Sequence, residues 1–379
     1  MAGSIATNWR EIMGSNNWEG LLDPLRMDVR QNLLLYGDLV QVTGDAFNNE
    51  PASNNQSKCR YSKKNLFEKT GLVKGNPYKY EVTKYISATA EVLGFKESNW
   101  MGYVAVATDE GKLALGRRDI VIVWRGTVRT LEWLEDIGFA LADASEIFDS
   151  SSTLWISDTK AHFGFLSLYK TARDQVLTEV SRLVEEYKNE EMSITVTGHS
   201  LGAALATLNA ADIASHSLNK PKDLPNKSCP VTAIVSGSPK VGDHIFKMAF
   251  TSLQDLHLLR TRNKDDPVPT LPIGVLYAEM GEELLIDASK SPYLKNASQN
   301  AHNLQVYLHG IAGTQGQDDF NLGIVKRDLA LINRDIDGLK DNMGIAPVSW
   351  WIEKNKGMVQ SEDGSWKLDD HEDEDDGAN

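Results

Sequence analysis

From residue 119 onward, short apolar segments alternate along the chain with longer amphipathic ones. The short segments have the length of strands and carry apolar side chains at most positions, which is typical of strands whose sheet is covered on both faces. The longer segments repeat apolar residues at steps of three and four, the spacing of an amphipathic helix. This alternation predicts an α/β fold in which helices cover both faces of a central, mostly parallel sheet.

The boundaries of these elements follow from residue types and spacing. Strands are predicted over 119–124, 192–197, 231–235 and 256–260. One helix follows Ser167, a residue type that caps helices, and a second covers 201–216. Earlier in the chain a helix is predicted over 28–42 and strands over 78–85 and 100–107. We expect residues 1–110 to form an N-terminal helical and strand elaboration that packs on a core of residues 111–360.

The acidic charge is concentrated at the end of the chain. The net charge of the 379 residues is −14, and residues 361–379 hold nine acidic residues against one lysine. Because the run 369–376 repels itself and has no apolar anchor, we predict a disordered acidic tail over 361–379. The chain has no basic patch, which argues against a nucleic-acid partner.

Three features predict a cytoplasmic protein. The sequence has no apolar run of membrane-spanning length, and its first residues lack the apolar region of a secretory leader. Its two cysteines, Cys59 and Cys229, are expected to be reduced thiols in that compartment.

The motif Gly198-His-Ser-Leu-Gly202 lies between a predicted strand and a predicted helix. A tight turn at this place forces Ser200 into a strained conformation that projects its hydroxyl above the sheet, while the small flanking residues let neighbouring backbone pass. The amide of Leu201 opens the helix, where the positive end of the helix dipole favours a developing oxyanion. We therefore predict Ser200 as a nucleophile and Leu201 as an oxyanion-hole donor, against the alternative of a glycine-flanked turn without chemistry.

A nucleophilic serine needs a histidine base oriented by a carboxylate, and in α/β-hydrolases the acid and then the histidine follow the serine in the chain. The loop 263–272 offers Asp265 and Asp266, and we favour Asp266 because the proline after it restricts its backbone. His302 opens a helix predicted over 302–309, whereas His309 lies two turns further along. We favour His302 as the base, and His309 stays open as the alternative.

Two further segments are candidates for the site. The segment Trp124-Arg-Gly-Thr127 ends the strand at 119–124, where the amide and hydroxyl of Thr127 can supply the second oxyanion donor. The amphipathic segment 131–140 is predicted to be a lid helix over an acyl-binding groove, with a plain surface helix as the alternative. The predicted lid residues are Glu132, Trp133, Leu134 and Ile137.

The sequence contains three further motifs, which are Lys160-Ala-His-Phe-Gly-Phe165, Asn263 ahead of Asp266, and the closing stretch 349–358. Together with the motifs described above, they make the chain resemble the cytosolic plant phospholipases A1 of the fungal-type class 3 lipase family. The resemblance covers nearly the whole chain and implies an α/β-hydrolase fold. It also implies Ser200, Asp266 and His302 as the catalytic residues, with the amides of Thr127 and Leu201 as the oxyanion hole. Pro267 departs from the family, which more often has an aliphatic residue there.

The resemblance implies hydrolysis of the sn-1 ester of glycerophospholipids, and sometimes of galactolipids or acylglycerols, without cofactor or metal. The expected partners are a lipid or other ester substrate and, transiently, a membrane surface, with no nucleic acid and no stable protein partner. Three alternatives stay open: an acyltransferase on the same scaffold, an esterase for a non-lipid ester, and a lipase-like signalling protein without catalysis. The oligomeric state is also left open.

Overall fold

The computed structural model of the protein describes residues 4–89, 99–127, 138–149, 158–315, 319–352 and 357–368. The α-helices of these ranges are α1 (Ser4–Ile12), α2 (Met27–Ala46), α3 (Leu66–Lys69), α4 (Asp109–Leu115), α5 (Phe163–Glu186), α6 (Leu201–Ser215), α7 (His244–Ser252) and α8 (Leu304–Gly313). The strands are β1 (Tyr80–Ala88), β2 (Asn99–Ala107), β3 (Arg118–Trp124), β4 (Leu141–Asp143), β5 (Lys160–His162), β6 (Met192–His199), β7 (Val231–Ser236), β8 (Leu256–Asn263), β9 (Glu282–Ile286), β10 (Thr314–Gln315), β11 (Asp319–Phe320), β12 (Met358–Gln360) and β13 (Trp366–Leu368).

A seven-stranded sheet in the order β1-β2-β3-β6-β7-β8-β9 forms the centre of the molecule. Within this sheet the neighbouring strands β3, β6, β7, β8 and β9 pair in parallel, while β1 and β2 run antiparallel at one edge. The predicted mostly parallel sheet is confirmed. However, β1 and β2, which the sequence analysis assigned to an N-terminal elaboration, belong to the same sheet, so the division at residue 110 passes through it.

Helices cover both faces of the sheet, as predicted. On one face α5 and α6 pack against Ile120 and Ile122 of β3, and on the other face α1, α2 and α8 pack in the cluster that contains Val121 and Val123. Consecutive residues of β3 thus point to opposite faces, as the pleat of a strand requires, and all four are fully buried. This two-sided burial explains why the strand is an uninterrupted apolar run in the sequence.

The helix that was predicted to follow Ser167 begins earlier, at Phe163. Its cap is His162, whose Nδ1 accepts a hydrogen bond from the Gly164 amide at 3.2 Å. The other ring nitrogen of His162 donates to the carbonyl of Gly138 at 2.9 Å, and burial lowers the pKa of this histidine to about 4. The predicted start was wrong because a neutral histidine, rather than a serine, satisfies the first turn of α5.

The end of the described chain is a small hairpin of β12 and β13. The ring of Trp366 in β13 packs on Trp350, with ring centroids 4.7 Å apart. Residues 361–368 were predicted to be part of a disordered tail, and that prediction is wrong for them because this aromatic contact anchors the hairpin. Residues 369–379, which contain the acidic run, lie outside the described residues.

The two cysteines carry free thiols, as expected. Cys229 is buried, and this burial raises the pKa of its thiol to about 12, so the reactive thiolate form is disfavoured at neutral pH. Within the described ranges, none of the helices combines the length and apolar character needed to cross a membrane.

Candidate active site

The turn between β6 and α6 holds Ser200 in a backbone conformation that residues with a side chain rarely adopt, with φ +59° and ψ −125°. Two glycines make this turn possible. A Cβ atom on Gly198 would lie 2.3 Å from the carbonyl carbon and oxygen of Gly202, and one on Gly202 would lie 2.3 Å from the carbonyl oxygen of Trp124. Side chains at either position would clash with backbone, so both glycines are needed to hold Ser200 at this edge of the sheet.

Asp266 and His302 form a hydrogen-bonded pair. The Nδ1 atom of His302 donates to Oδ2 of Asp266 at 2.7 Å, which assigns the proton to Nδ1 and leaves a lone pair on Nε2. That Nε2 atom is buried, and no other group among the described residues hydrogen-bonds to it. A neutral imidazole with this tautomer and an available Nε2 has the arrangement that a general base requires.

The carboxylate of Asp266 is 1% exposed and is held by further donors. The amide of Val268 donates to its Oδ1 at 2.9 Å, and the phenol of Tyr307 in α8 donates to its Oδ2. Burial raises the pKa of Tyr307 well above its usual value, so the phenol remains a donor. Because the amide that is used belongs to Val268, the N–H group that Pro267 lacks is not needed by the carboxylate.

Asn263 joins the loop that carries Asp266 to the segment before His302. Its side-chain amide donates to the carbonyl of Ala301 at 3.0 Å, and its side-chain oxygen accepts from the amide of Ala288 at 3.2 Å. Its own carbonyl accepts from the amide of Asp266 at 3.0 Å. Asn263 therefore positions both members of the pair without touching either side chain.

The helix predicted over 302–309 begins two residues later than expected. The side chain of Asn303 accepts hydrogen bonds from the amides of Gln305 at 2.9 Å and Val306 at 3.3 Å, so α8 starts at Leu304. The prediction was wrong at this end because the N-cap falls on Asn303. His302 thus lies in the loop ahead of the helix, where its ring faces Asp266.

The alternative residues are engaged elsewhere. Asp265 is exposed and accepts a hydrogen bond from the hydroxyl of Ser298 at 2.5 Å. The Nε2 atom of His309 lies 2.6 Å from the hydroxyl of Ser291, and burial lowers the pKa of this histidine to about 3. His309 is therefore a neutral, hydrogen-bonded residue in the interior of α8.

Gly237 brings the serine turn and the histidine together. The amide of Ser200 donates to the carbonyl of Ser236 at 3.1 Å, and the next residue is Gly237, with φ +59°. A Cβ atom on Gly237 would lie within 3.0–3.3 Å of three atoms of the site, which are His199 Nε2, His302 Cε1 and Asp266 Oδ2. The sequence analysis did not identify Gly237, since no motif marks it.

We expect Gly237→Ala to lower kcat toward all esters by at least about tenfold, because the added methyl must displace the ring of His302 or His199. The positive φ adds a cost of about 1 kcal/mol in stability. A soluble p-nitrophenyl ester and thermal unfolding measure the two effects. The matched control is Gly20→Ala, which has φ +71° and no atom within 4 Å of the new Cβ. If both variants kept wild-type kcat, Gly237 would have no role in positioning the rings.

His199, the residue before Ser200, packs against the hydrogen-bonded pair of His302 and Asp266. Its ring centroid lies 4.6 Å from that of His302. Burial and the neighbouring charge of His302 lower the pKa of His199 well below its usual value. A neutral His199 does not repel the positive charge that His302 acquires when it takes a proton. No feature of the motif Gly198-His-Ser-Leu-Gly202 indicates this contact with His302, so it was not predicted.

Leu201 follows Ser200 in the chain, and Gly126, the residue before Thr127, lies close to Ser200. Leu201 is the first residue of α6, so its N–H group has no acceptor within the helix. Thr127 follows Gly126, where a Cβ atom would lie 3.6 Å from the Cβ of Ser200. The assignment of Thr127 and Leu201 as oxyanion donors remains a prediction.

A cleft of about 1260 Å³ opens beside His302 and Thr127, and the end of α2 and the loop after it form its far wall. Ser200 is only 1% exposed, so an ester can reach its hydroxyl only after the groups that cover it move. The predicted lid residues Glu132, Trp133, Leu134 and Ile137 lie outside the described residues.

Comparison with known proteins identifies relatives over the whole length of the chain. The family model Lipase (class 3) matches residues 121–275. Phospholipase A1-IIgamma of Arabidopsis thaliana is 48% identical, with 97% of this chain and 94% of that protein covered. Phospholipase A1-II 1 of Oryza sativa subsp. indica is 46% identical, with 98% of each covered.

Among solved structures, the nonglycosylated LIP2 lipase of Yarrowia lipolytica has a TM-score of 0.50 to this chain at 19% sequence identity. The match covers 70% of this chain and 82% of that one. At this level of identity the likeness is one of fold. It agrees with the parallel sheet and the strand-to-helix turn described above, and the predicted α/β-hydrolase fold is confirmed.

Proposed function

This chain belongs to the class 3 lipase family, and from that premise we propose that it is a serine acylhydrolase that cleaves the sn-1 ester of glycerophospholipids. The relatives that cover nearly all of it carry the name phospholipase A1. The observation that carries the proposal is the hydrogen bond from His302 to Asp266, which leaves Nε2 of His302 available as a base close to the Ser200 turn.

In the proposed reaction, Nε2 of His302 takes the proton of Ser200 while the serine oxygen attacks the ester carbonyl. Asp266 stabilises the imidazolium that forms, and the amides of Thr127 and Leu201 donate to the oxyanion. His302 then protonates the departing glycerol oxygen, so that a lysophospholipid leaves and the acyl group stays on Ser200. A water molecule activated by His302 attacks this acyl-enzyme and releases the fatty acid.

The positional specificity is tested with a phosphatidylcholine that carries different acyl chains at its two positions. Mass spectrometry is expected to detect the free acid of the sn-1 chain and the lysophospholipid that keeps the sn-2 chain. A second reaction contains a simple alcohol, which would appear as an alkyl ester if the enzyme were an acyltransferase. Release of the sn-2 acid, or an alkyl ester as the main product, would contradict the proposal.

We also propose that a loop after Asp266 makes the transient contact with the membrane surface. The side chains of Ile273, Val275 and Leu276 are 81%, 85% and 65% exposed. Tyr277, which directly follows these residues, is buried, and its phenol donates to the carbonyl of Phe139 at 3.0 Å. This hydrogen bond fixes the end of the loop. Exposed aliphatic side chains on a fixed support are favourable in a lipid interface and unfavourable in water.

The double variant Ile273→Asp, Val275→Asp is expected to hydrolyse phospholipid vesicles at least about tenfold more slowly, because each apolar side chain is worth about 1.5–3 kcal/mol when it is buried. Its kcat toward a soluble ester should not change. The control is Leu113→Asp, whose leucine is 77% exposed in α4, the helix that precedes the start of β3, whereas Ser200 follows the end of the parallel strand β6. If the control lost the same activity toward vesicles, the added negative charge rather than the position of the loop would explain the effect.

The cytoplasmic location remains part of the proposal. It is supported by the two free cysteines, Cys59 and Cys229, since secreted proteins tend to pair theirs. Fractionation of cells that express the full chain tests it, and recovery in the secreted fraction would contradict it.

A further inference from the structure

Arg125 places a positive charge in the cleft, two residues before the predicted oxyanion residue Thr127. Its side chain is only 8% exposed and is held on three sides. Nε donates to the carbonyl of Trp100 at 3.0 Å, Nη1 to the carbonyl of Gly126 at 3.0 Å, and Nη2 to the sulfur of Met101 at 3.5 Å. The guanidinium carbon lies 3.7 Å from the centre of the Phe47 ring. These contacts fix the position of the charge.

This charge has no carboxylate partner in the part of the chain that the structure describes. Burial lowers the pKa of Arg125 to about 10, so the group stays protonated at neutral pH. Arg334, which is 4% exposed near the same cleft, shows the usual arrangement, since it pairs with Asp45 at 2.6 Å. A buried cation without an anion costs free energy, and a bound anion would remove that cost.

Arg125 forms no ion pair with the acidic residues that line the described part of the cleft. Glu50 is exposed, and its carboxylate accepts a hydrogen bond from the amide of Ala52 at 3.3 Å. The other charged residues that line the cleft are Asp45, Glu50, Arg60, Lys69 and Asp335. Asp45 is engaged by Arg334, and Asp335 accepts a hydrogen bond from Gln41 at 2.8 Å. Burial raises the pKa of Asp335 and raises that of Asp45 to about 6.

We propose that Arg125 binds the phosphate of the phospholipid headgroup while the sn-1 ester lies at Ser200. A guanidinium has five N–H groups in a planar fork that matches phosphate oxygens, and only three hydrogen bonds join it to the residues that the structure describes. Nη1 is bonded to Gly126, the residue that passes beside Ser200. In the substrate the glycerol backbone alone separates phosphate and ester, so the two groups bind near each other.

This inference rests on the proposed function and makes it more specific. A phosphate site at Arg125 favours phospholipids over galactolipids and acylglycerols, whose headgroups carry no charge. Arg125 would then be a specificity-determining residue rather than a participant in ester cleavage.

The test compares Arg125→Gln with the wild type on phosphatidylcholine and on diacylglycerol with the same acyl chains, both in mixed micelles of a non-ionic detergent. We divide kcat/KM for phosphatidylcholine by kcat/KM for diacylglycerol. In Arg125→Gln this ratio is expected to be at least about tenfold lower than in the wild type. Arg125→Lys keeps the charge without the fork and should lie between the two. The control is Arg10→Gln, an exposed arginine that pairs with Glu191, and its ratio should not change.

An equal loss on both lipids would show that Arg125 only supports the fold, and would overturn the proposal. A wild type that hydrolyses no phospholipid would instead contradict the proposed function. In a second arm, glycerophosphocholine is expected to inhibit hydrolysis of a soluble neutral ester by the wild type and not by Arg125→Gln. If inorganic phosphate inhibited the wild type and glycerophosphocholine did not, the assignment to a lipid headgroup would be overturned.

Discussion

Ser200→Ala is expected to lower kcat toward a soluble carboxylic ester by about 10⁴-fold or more while the protein stays folded. The change removes the oxygen that would form the acyl-enzyme and leaves the turn between β6 and α6, whose shape depends on Gly198 and Gly202. The effect is measured with a p-nitrophenyl ester, by thermal unfolding, and by labelling with a fluorophosphonate probe, which should react with the wild type only.

A matched control for this variant is Ser238→Ala. Ser238 is also buried and follows Gly237, but its hydroxyl donates to the carbonyl of Pro239 at 2.9 Å. We expect this variant to keep its kcat and its reaction with the probe. If pure Ser200→Ala protein kept more than about 1% of the wild-type turnover, or still reacted with the probe, Ser200 would not be the nucleophile.

Asp266→Asn is expected to lower kcat by about 10³–10⁴-fold, although the side chain has nearly the same size. An amide that turns its NH₂ group toward His302 favours the tautomer with the proton on Nε2, which can no longer accept the proton of Ser200. The amide of Val268 donates to Oδ1 of Asp266 at 2.9 Å, which favours the oxygen of the new amide at that position and leaves its NH₂ at the Oδ2 position that faces His302. The measurement is kcat toward the soluble ester, with thermal unfolding as the check on folding.

The adjacent carboxylate is the control for this prediction. Asp265→Asn removes the same charge one residue away, where the side chain is exposed and bound to Ser298. Its kcat should change by less than about twofold, as for most surface substitutions. Equal losses in the two variants would mean that the charge of the loop, rather than the bond to His302, matters for activity.

The elements that the sequence predicted best are those whose pattern is local. The run at 119–124 is apolar because both of its faces are buried, and the structure has β3 there. The strand-to-helix turn at Ser200 is marked by two glycines that are adjacent to it in the chain. The predicted start of α5 was wrong because its cap, His162, is not a typical capping residue.

The residues that the sequence analysis missed are those whose role depends on a contact between distant segments. Gly237, at the end of β7, must be a glycine only because His302 and Asp266 lie against it. Tyr307 and Arg125 show the same dependence. Nothing in the sequence around Tyr307 indicates that its phenol contacts Asp266, and nothing around Arg125 indicates that it lines a cleft.

The sequence by itself therefore determined the α/β class, the strand and helix order, and the serine turn, because periodicity and turn chemistry act between residues that are near in the chain. Only the tertiary structure decided that Asp266 meets His302 rather than His309, that β1 and β2 extend the central sheet, and that Arg125 has no carboxylate partner among the described residues. These facts depend on which surfaces pack together, and burial and hydrogen bonding across such surfaces are set by the whole fold.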